Sequence, residues 1–586
     1  MINIKKWKRY YLNYFDFRNN IVNKFRKNFQ LNSRHLFLLV IILGTFLKLL
    51  AFPNIPAGII QDEASAGYES LSLLQSGTDR WGNSWPVYFP SWGSGQNVLL
   101  SYLSMPFIKI FGLNASSIRM VPLILGILTP ILFYFSVKKA FNKRTALIAT
   151  IFLEFWPWHF MSSRWALESN LLPVCLLSGT YLVQLSLGYQ DKLKKNWRQY
   201  LIHYMALIPF ALAFYAYGLA IIVVPILLIA IFIFYRKIIL AQLKSWLVSI
   251  AFFIITAFPF GLYLIKNYLL KTTLPGEKYL PFSIPLQQVT RYTEVKESIF
   301  KTIYHNLLFF KHGFNDQIPT NITLPYLNFP YLGIFLCLLG LTIYLLIQWQ
   351  CPKENIVIQL RSLFQHLINK LKLFLLQKQL INIYLLWLIA SAFLIFFMPL
   401  NTNRFNSFFL PMIAFAAYGT VYLWQHIQKT IFKIFFRIGL VAYLVIFSLL
   451  FFFNYFTNYA QKTAADFNDN FDQILTIAEG ETLPNEEIAI TPDIGFSYIY
   501  ILFYRQPRSE EFRQNASYPA PFGIYQVTSY RNYIFDPAYL SLPDQKNFTY
   551  ILKDTTKIDN YCPMNKQSII YRDQLWTVGR CLNSEN

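Results

Sequence analysis

Charged residues are scarce in this sequence. Only 14% of its 586 residues are charged, whereas 55% are hydrophobic and 18% are aromatic. A soluble protein of this length needs far more polar surface, so the composition excludes that class. The sequence predicts a polytopic membrane protein whose membrane domain is all α-helical.

Acidic residues are the scarcer charge. The chain has 29 Asp and Glu against 52 Lys and Arg, which gives a formal net charge of +23. A basic excess can indicate nucleic-acid binding, but no soluble basic region remains here to supply the binding surface. We therefore interpret the charge as a signal of membrane topology and predict no nucleic-acid partner.

Cysteine is also rare, with five in the chain, and their spacing matches no metal-binding motif. Cys562 and Cys581 both lie in the C-terminal tail. An oxidising compartment would allow a disulfide between them. A pair of free thiols is equally compatible with the sequence.

Long apolar runs dominate what is present, and eleven of them are long enough to cross a bilayer. Lys and Arg concentrate in alternate loops between these runs, as expected for cytoplasmic loops. This pattern predicts a multi-pass plasma-membrane protein with a cytoplasmic N-terminus, an uncleaved first span and an extracytoplasmic tail. The predicted spans are 36–53, 117–137, 145–161, 170–188, 200–216, 218–235, 247–265, 328–349, 380–399, 405–425 and 436–455.

Three regions follow from these spans: a basic leader at 1–35, a transmembrane domain at 36–456 and an extracytoplasmic domain at 457–586. The membrane domain carries two large external loops, 54–116 and 266–327. Amphipathic patterns predict helices in the first loop at about 64–75 and 96–111, lying in the membrane interface, and one in the second loop.

The tail has the pattern of a small α/β domain. A helix is predicted over AADFNDNFDQILTIAEG, which begins at Ala464. Alternating or β-rich segments predict strands. These segments are EEIAITP, SYIYILFY, GIYQVTSY, FTYILKD and SIIYRDQLWTVG.

The first charges after the first span are the adjacent carboxylates Asp62 and Glu63. The basic flank of that span places this acidic pair at the outer membrane face. Paired acids at such a position form a candidate active site.

The segments QDEASAGYESLSLLQSGTDRWG, FGLNASSIRMVPLILGILTP and SSRWALESNLLP follow the first span in that order. Together with the topology, they resemble bacterial polyprenyl-phosphate-dependent glycosyltransferases of the GT-C fold. That family is related to protein O-mannosyltransferases and to the aminoarabinose transferase that acts on lipid A. The resemblance covers about residues 36–455 and implies a polyprenyl-phosphate sugar donor, a hydroxyl acceptor and a lipid bilayer as partners.

The resemblance implies that Asp62 is the catalytic base and that the reaction inverts the anomeric carbon. A single displacement needs a base for the acceptor hydroxyl and positive charge for the departing phosphate. Glu63 would orient a sugar hydroxyl or raise the pKa of Asp62 by like-charge repulsion. The alternative is that both acids cap the helix that begins near Ala64.

Arg164 and Glu168 lie in a turn between the third and fourth spans. A charge at membrane depth is costly, so we predict that both line a polar cavity and bind substrate. The alternative is a simple ion pair, four residues apart on one helical face. His159 is a further candidate for substrate binding, with packing at the interface as its alternative.

Arg404 opens the tenth span at its external end. In the family, an Arg at the corresponding place is thought to meet the lipid phosphate, a role that suits a guanidinium group. Lys266, at the external end of the seventh span, is a second candidate cation, and Arg80 and Arg119 are two others. The alternative for Arg404 is an ordinary arginine whose charge reaches the interface.

We predict no required cofactor. His305, His312 and Asp316 share one external segment, but their spacing is unusual for metal ligands, and solvated loop residues explain them better. A divalent ion that bridges Asp62 and the phosphate is an alternative. For the whole chain, the alternative functions are a lipid-linked-glycan flippase or transporter and a scaffold without catalysis; transporters usually show repeated halves, and no repeat is visible here.

Overall fold

The computed structural model describes residues 33–91, 95–188, 196–286, 298–311, 335–343, 382–491, 494–518, 527–535, 547–553, 562 and 566–582. Predictions for most of the leader, for much of the span at 328–349 and for the basic loop that follows it lie outside these residues.

The membrane domain and its first loop are helical. The helices are α1 (Ser33–Leu49), α2 (Gln61–Ser76), α3 (Leu99–Phe111), α4 (Ala115–Ala140), α5 (Lys143–Glu154), α6 (Pro157–Ser162), α7 (Leu171–Leu187), α8 (Trp197–Tyr204), α9 (Ile208–Ala216), α10 (Ala220–Ala241), α11 (Leu243–Leu264), α12 (Ile299–Lys311), α13 (Ile383–Ala392), α14 (Asn406–His426) and α15 (Thr430–Asn454). Short 3₁₀ turns occupy Glu168–Asn170, Glu277–Tyr279 and Phe393–Phe396, π-helical turns occupy Ile265–Leu270 and Tyr455–Tyr459, and residues 335–343 are also helical.

Seven helical segments of the described chain are long and apolar enough to cross a membrane. They coincide with seven of the eleven predicted spans. They are Ala115–Ala140, Glu168–Leu187, Trp197–Ala216, Ala220–Ala241, Leu243–Leu270, Asn406–His426 and Thr430–Thr463. The predicted spans at 36–53 and 380–399 appear as shorter helices, and the one at 145–161 is divided into α5 and α6. The polytopic helical class is confirmed, while the number of spans stays a prediction.

Asparagine side chains cap the starts of α4 and α5. The side chain of Asn114 accepts a hydrogen bond from the N–H of Ser117 at 3.0 Å, which caps α4. Asn142 caps α5 in the same way through Arg144 and Thr145. Each cap satisfies N–H groups that have no partner inside the helix. The predicted helices of the first external loop are present as α2 and α3.

The tail is an α/β domain, as predicted. Its helices are α16 (Ala460–Thr463), α17 (Phe471–Glu481), α18 (Tyr498–Arg505) and α19 (Ser509–Asn515). Its strands are β1 (Glu487–Ile490), β2 (Ala516–Ser517), β3 (Ser529–Tyr530), β4 (Tyr533–Ile534), β5 (Phe548–Leu552), β6 (Gln567–Arg572) and β7 (Thr577–Cys581). They form one sheet in the order β2-β3-β4-β1-β5-β7-β6, with β1 parallel to β4 and β5.

One predicted strand is wrong. SYIYILFY forms α18, in which Tyr498 to Phe503 are all buried. A helix that is apolar on every side shows no 3.6-residue period, so its aromatic and β-branched composition was mistaken for a strand. Cys562 and Cys581 form a disulfide, which settles the alternatives that the sequence left open.

The tail shares a hydrophobic core with the first external loop. This core contains residues of α2 and α3 together with residues of α17, α18 and the sheet. The hydroxyl of Tyr68 in α2 donates to the carbonyl of Pro507 at 2.8 Å, and Gly67 is in close contact with Phe503. The tail therefore packs directly on the helix that carries the acidic pair.

Candidate active site

The two carboxylates of the acidic pair point to different surroundings. Glu63 is fully buried. Its two oxygens accept hydrogen bonds from Arg119 Nε at 2.8 Å and Nη2 at 2.7 Å, and one also accepts from the N–H of Ala166 at 2.9 Å. Asp62 is half-buried. Of the two acids, Asp62 is therefore the one that solvent can reach.

Glu63 also contributes to the start of α2. Its Oε2 accepts a hydrogen bond from the N–H of Ile60, the residue before the helix, at 3.4 Å. The capping interpretation thus describes part of what Glu63 does, through a long and hence weak bond.

Arg119 also fixes the turn that leads into α2. Its remaining donors bind the carbonyls of Pro53, Pro56 and Gly58 at 2.8 to 2.9 Å. Gly58 has φ +70°, and a Cβ atom there would lie 2.3 Å from the carbonyl oxygen of Phe467 in the tail. Only glycine suits both the left-handed backbone and this close approach. Arg119 and Gly58 therefore set the position of Asp62.

Residues 96 and 97 connect Asp62 with Glu168. The side-chain amide of Gln96 donates to the backbone carbonyl of Asp62 at 3.1 Å. The backbone N–H of the next residue, Asn97, donates to the carboxylate of Glu168, and its side chain donates to the carbonyl of Phe214 at 2.8 Å. Two neighbouring residues of the first loop thus contact both candidate acids.

Arg404 belongs to the same region. Asn406, two residues further on, donates from its side chain to the carbonyl of Ser169 at 2.5 Å, which holds the start of α14 beside Glu168. Arg404 Nη1 binds the carbonyl of Pro399 at 2.9 Å, and the side chain is partly exposed. The structure therefore links the segments that carry Asp62, Glu168 and Arg404.

Arg164 points away from Glu168 and does not pair with it on a helical face. Its guanidinium is fully buried and donates to the carbonyls of Lys48 and Leu50, both at 2.7 Å, at the end of α1. It also donates to the carbonyl of Ile55. A cation at a helix C-terminus satisfies free carbonyls and interacts favourably with the helix dipole. This geometry favours a role for Arg164 in holding α1.

His159 and Lys266 are buried and engaged by protein groups. His159 Nε2 donates to the carbonyl of Gly126 at 3.1 Å, beside a cavity of about 20 Å³ that has room for about one water molecule. The Lys266 ammonium binds Glu277 and the carbonyl of Ile284. Substrate contacts by either residue stay predictions.

A second contact between a carboxyl and a guanidinium group lies within the first loop, beside Tyr498 of the tail. Arg80 Nε is 3.1 Å from Glu69 Oε1, and both side chains are fully buried. Burial raises the pKa of Glu69 from 4.5 to about 8, although the charge of Arg80 opposes the rise. Arg80 is thus a partner of Glu69 in the interface with the tail.

Metal ligands are not grouped in the described residues, which contain no cluster of three His, Cys, Asp or Glu that could hold an ion. His305 lies on α12, whereas His312 and Asp316 lie outside the described residues.

Sequence reasoning missed the roles of Gln96, Asn97 and Asn406. Each side-chain amide donates to a backbone carbonyl, and its oxygen is buried without a hydrogen-bond partner in the described part of the chain. The sequence signal that could have identified these three residues is that polar side chains stand beside long apolar runs. A stronger sequence signal indicated the contact between Arg119 and Glu63, because an arginine in the first turn of a predicted span needs a partner.

Part of the chain matches a known protein family. Residues 96–263 match the model of the family described as dolichyl-phosphate-mannose-protein mannosyltransferase. Comparison with curated protein sequences finds no match.

Solved structures resemble the chain over nearly its whole length. ArnT from Cupriavidus metallidurans bound to undecaprenyl phosphate is 11% identical, with a TM-score of 0.53, over 94% of this chain and 98% of that one. The same protein in the apo state is 10% identical, with a TM-score of 0.50, over 93% and 97%. The chain has the GT-C fold of ArnT, and its residues 96–263 resemble the dolichyl-phosphate-mannose-protein mannosyltransferase family.

Proposed function

We propose that this protein transfers one sugar from a polyprenyl-phosphate donor to a hydroxyl acceptor at the outer face of the membrane, with Asp62 as general base. The observation that supports the proposal most directly is that the two acids of the pair have different surroundings. Glu63 is saturated by Arg119 and Ala166, whereas Asp62 is half-exposed beside Gln96. A general base must reach its substrate, and of these two acids Asp62 meets that condition.

In the proposed reaction, Asp62 accepts the proton of the acceptor hydroxyl while the acceptor oxygen attacks the anomeric carbon. The bond from that carbon to the donor phosphate breaks, and the phosphate leaves with the bonding pair. Attack opposite the leaving group inverts the anomeric carbon, and no covalent sugar intermediate is needed. The phosphate leaves without a proton, so the site needs positive charge near it more than an acid.

Arg404 is the proposed contact for that phosphate. Its guanidinium is partly exposed, and one nitrogen is held by the carbonyl of Pro399, which leaves other donors for a bidentate contact. The fold of ArnT, which has been observed with undecaprenyl phosphate, supports a lipid-phosphate donor. Lys266 is a second candidate for this role only if donor binding displaces Glu277.

The other predicted residues take supporting roles in this proposal. Glu63 and Arg164 are positioning residues, because each holds the segment between α1 and α2. Glu168 holds the N–H of Asn97 and so places the loop beside Asp62. His159 borders the small cavity that Gly126 and Ser163 also line.

The side of the membrane and the acceptor region also belong to the proposal. The distribution of Lys and Arg supports an external position for the acidic pair. The tail and the segment that begins at Lys266 lie around the first loop, since Ser283 exchanges hydrogen bonds with Ser84 and Val87 and the tail packs on α2. We propose that these two parts shape the acceptor groove.

The test is sugar transfer from membranes loaded with radiolabelled polyprenyl-phosphate sugars. Asp62→Asn is compared with wild type and with Glu487→Gln, an exposed acid in β1, at matched expression. Asp62→Asn should lower the rate by about 10²-fold or more, as expected for a lost general base, while its thermal unfolding stays near wild type. Transfer at the wild-type rate by Asp62→Asn would refute this base, and no transfer from any donor would favour a flippase or scaffold.

A further inference from the structure

A cleft opens at the end of the helical bundle opposite the candidate active site. It has a volume of about 530 Å³ and is formed by the start of α5, the end of α14 and the start of α15. Because α14 begins beside Glu168 and contributes Val421, Trp424 and Gln425 near its other end, the cleft lies about 25 Å from that site along the helix. It is therefore a separate feature of the molecule.

Three cations line this cleft: Arg144, Lys433 and Arg437. Within the described residues, none of their side chains has a hydrogen bond or an ion pair. The two stretches that supply them, residues 140–153 and 420–440, contain no Asp or Glu. Their positive charge is thus concentrated in one place with no compensating acid in either stretch, which makes the cleft attractive to an anion.

The remaining lining suits a molecule that is part anionic and part apolar. Leu147, Ile148 and Val421 form the apolar part of the wall. The guanidinium of Arg437 lies 4.4 Å from the centre of the Trp424 ring, a cation–π contact that restrains it at the cleft. A guanidinium presented in this way matches the oxygens of a phosphate group.

We propose that this cleft binds an anionic phospholipid, with its phosphate held by Arg144, Lys433 and Arg437 and its acyl chains against the apolar wall. Basic pockets between helices at the membrane surface bind such head groups. A soluble phosphate compound shares the phosphate chemistry but has no use for the apolar wall. The proposal concerns the end of the bundle away from Asp62 and does not depend on glycosyl transfer.

The test is lipid binding by the purified full-length protein, measured by native mass spectrometry during titration with phosphatidylglycerol and, separately, phosphatidylcholine. The variant is R144Q/K433Q/R437Q. The control is R236Q/K237Q/K244Q, which removes the same charge from exposed residues near the α10–α11 turn, outside the cleft. Wild type and control should bind phosphatidylglycerol in preference to phosphatidylcholine, and the cleft variant should bind it roughly 10²-fold more weakly, for three lost surface cations.

Three results would overturn the proposal. Equal loss of phosphatidylglycerol in both triple variants would show a general charge effect, and no loss in either would show that the cleft is not the site. Displacement of phosphatidylglycerol by inorganic phosphate at equal concentration would assign the cleft to a soluble phosphate. If the triple variant unfolds, Arg437→Gln alone is compared with Arg236→Gln. The proposal then requires a weaker preference for phosphatidylglycerol in Arg437→Gln and an unchanged preference in Arg236→Gln.

Discussion

Glu63 and Arg119 form a buried ion pair with two hydrogen bonds, at 2.7 and 2.8 Å, between the first turn of α2 and the second turn of α4. Because the same guanidinium also holds three carbonyls of the preceding turn, this pair fixes the entry into the helix that carries Asp62. The pair makes the two neighbouring acids different, because Glu63 is buried and engaged by Arg119 whereas Asp62 is partly exposed.

Breaking that pair should unfold the site. Glu63→Gln and Arg119→Gln should each lower the free energy of unfolding by about 3–5 kcal/mol, because each leaves one buried charge without its partner. Thermal unfolding of the detergent-purified protein measures this, with Asp62→Asn as the matched control that stays near wild type. A wild-type melting temperature in Glu63→Gln, together with lost transfer, would instead make Glu63 catalytic.

Arg164 should tolerate no replacement by lysine. Its guanidinium reaches carbonyls on both sides of the turn after α1, including Lys48, Leu50 and Ile55, and an ammonium group on a shorter chain cannot reproduce this fork. Arg164→Lys should therefore lower the melting temperature while leaving the KM for donor unchanged in the folded fraction. A raised KM at unchanged stability would restore its predicted role in substrate binding.

Substitution of Arg404 should change the KM for the donor rather than the melting temperature. Arg404→Gln should raise the KM for the polyprenyl-phosphate donor by about tenfold or more, the loss expected for one charge-assisted contact of about 1.5–3 kcal/mol. Arg404→Lys should recover part of this, since the charge remains and the fork is lost. Steady-state transfer at several donor concentrations measures both, and an unchanged KM in Arg404→Gln would assign the arginine to the interface alone.

Stability should fall as pH rises through the range between about 5 and 8. Burial raises the pKa of Glu69 from 4.5 to about 8, so the folded protein holds this proton more tightly than the unfolded chain does. That contribution is complete below the unfolded value and is lost as pH passes the folded value. The melting temperature of wild type should decline over this range, and Glu69→Gln should decline less. An equal decline in both would locate the effect in another group.

The disulfide should stabilise the edge of the tail sheet. Cys562 and Cys581 are 19 residues apart, and closing such a loop contributes about 3 kcal/mol in the chain-entropy model. The double variant Cys562→Ser/Cys581→Ser should therefore unfold in the tail at lower temperature, as measured by limited proteolysis against temperature. A reducing agent should have the same effect on wild type and none on the variant.

Local sequence patterns were sufficient to predict the elements that have a clear hydrophobic period. The amphipathic helices α2 and α3 and most long spans appear near their predicted positions, because apolar length and a 3.6-residue period are properties of neighbouring residues. The strand predicted over SYIYILFY was wrong because this segment lacks such a period. A segment buried on every side has no polar face, so only its packing against α2 and the sheet decides that it is a helix.

Some features of the candidate site could likewise be predicted from the sequence, and others depend on the tertiary structure. The sequence by itself determined the membrane class, the acidic pair after the first span and the basic excess that indicates topology, since composition and spacing carry that information. Only the tertiary structure decided that Glu63 meets Arg119, 56 residues away, and that Arg164 turns to the end of α1 rather than to Glu168. Such contacts join residues far apart in the chain, and which of two neighbouring acids is buried depends on what the fold brings to each.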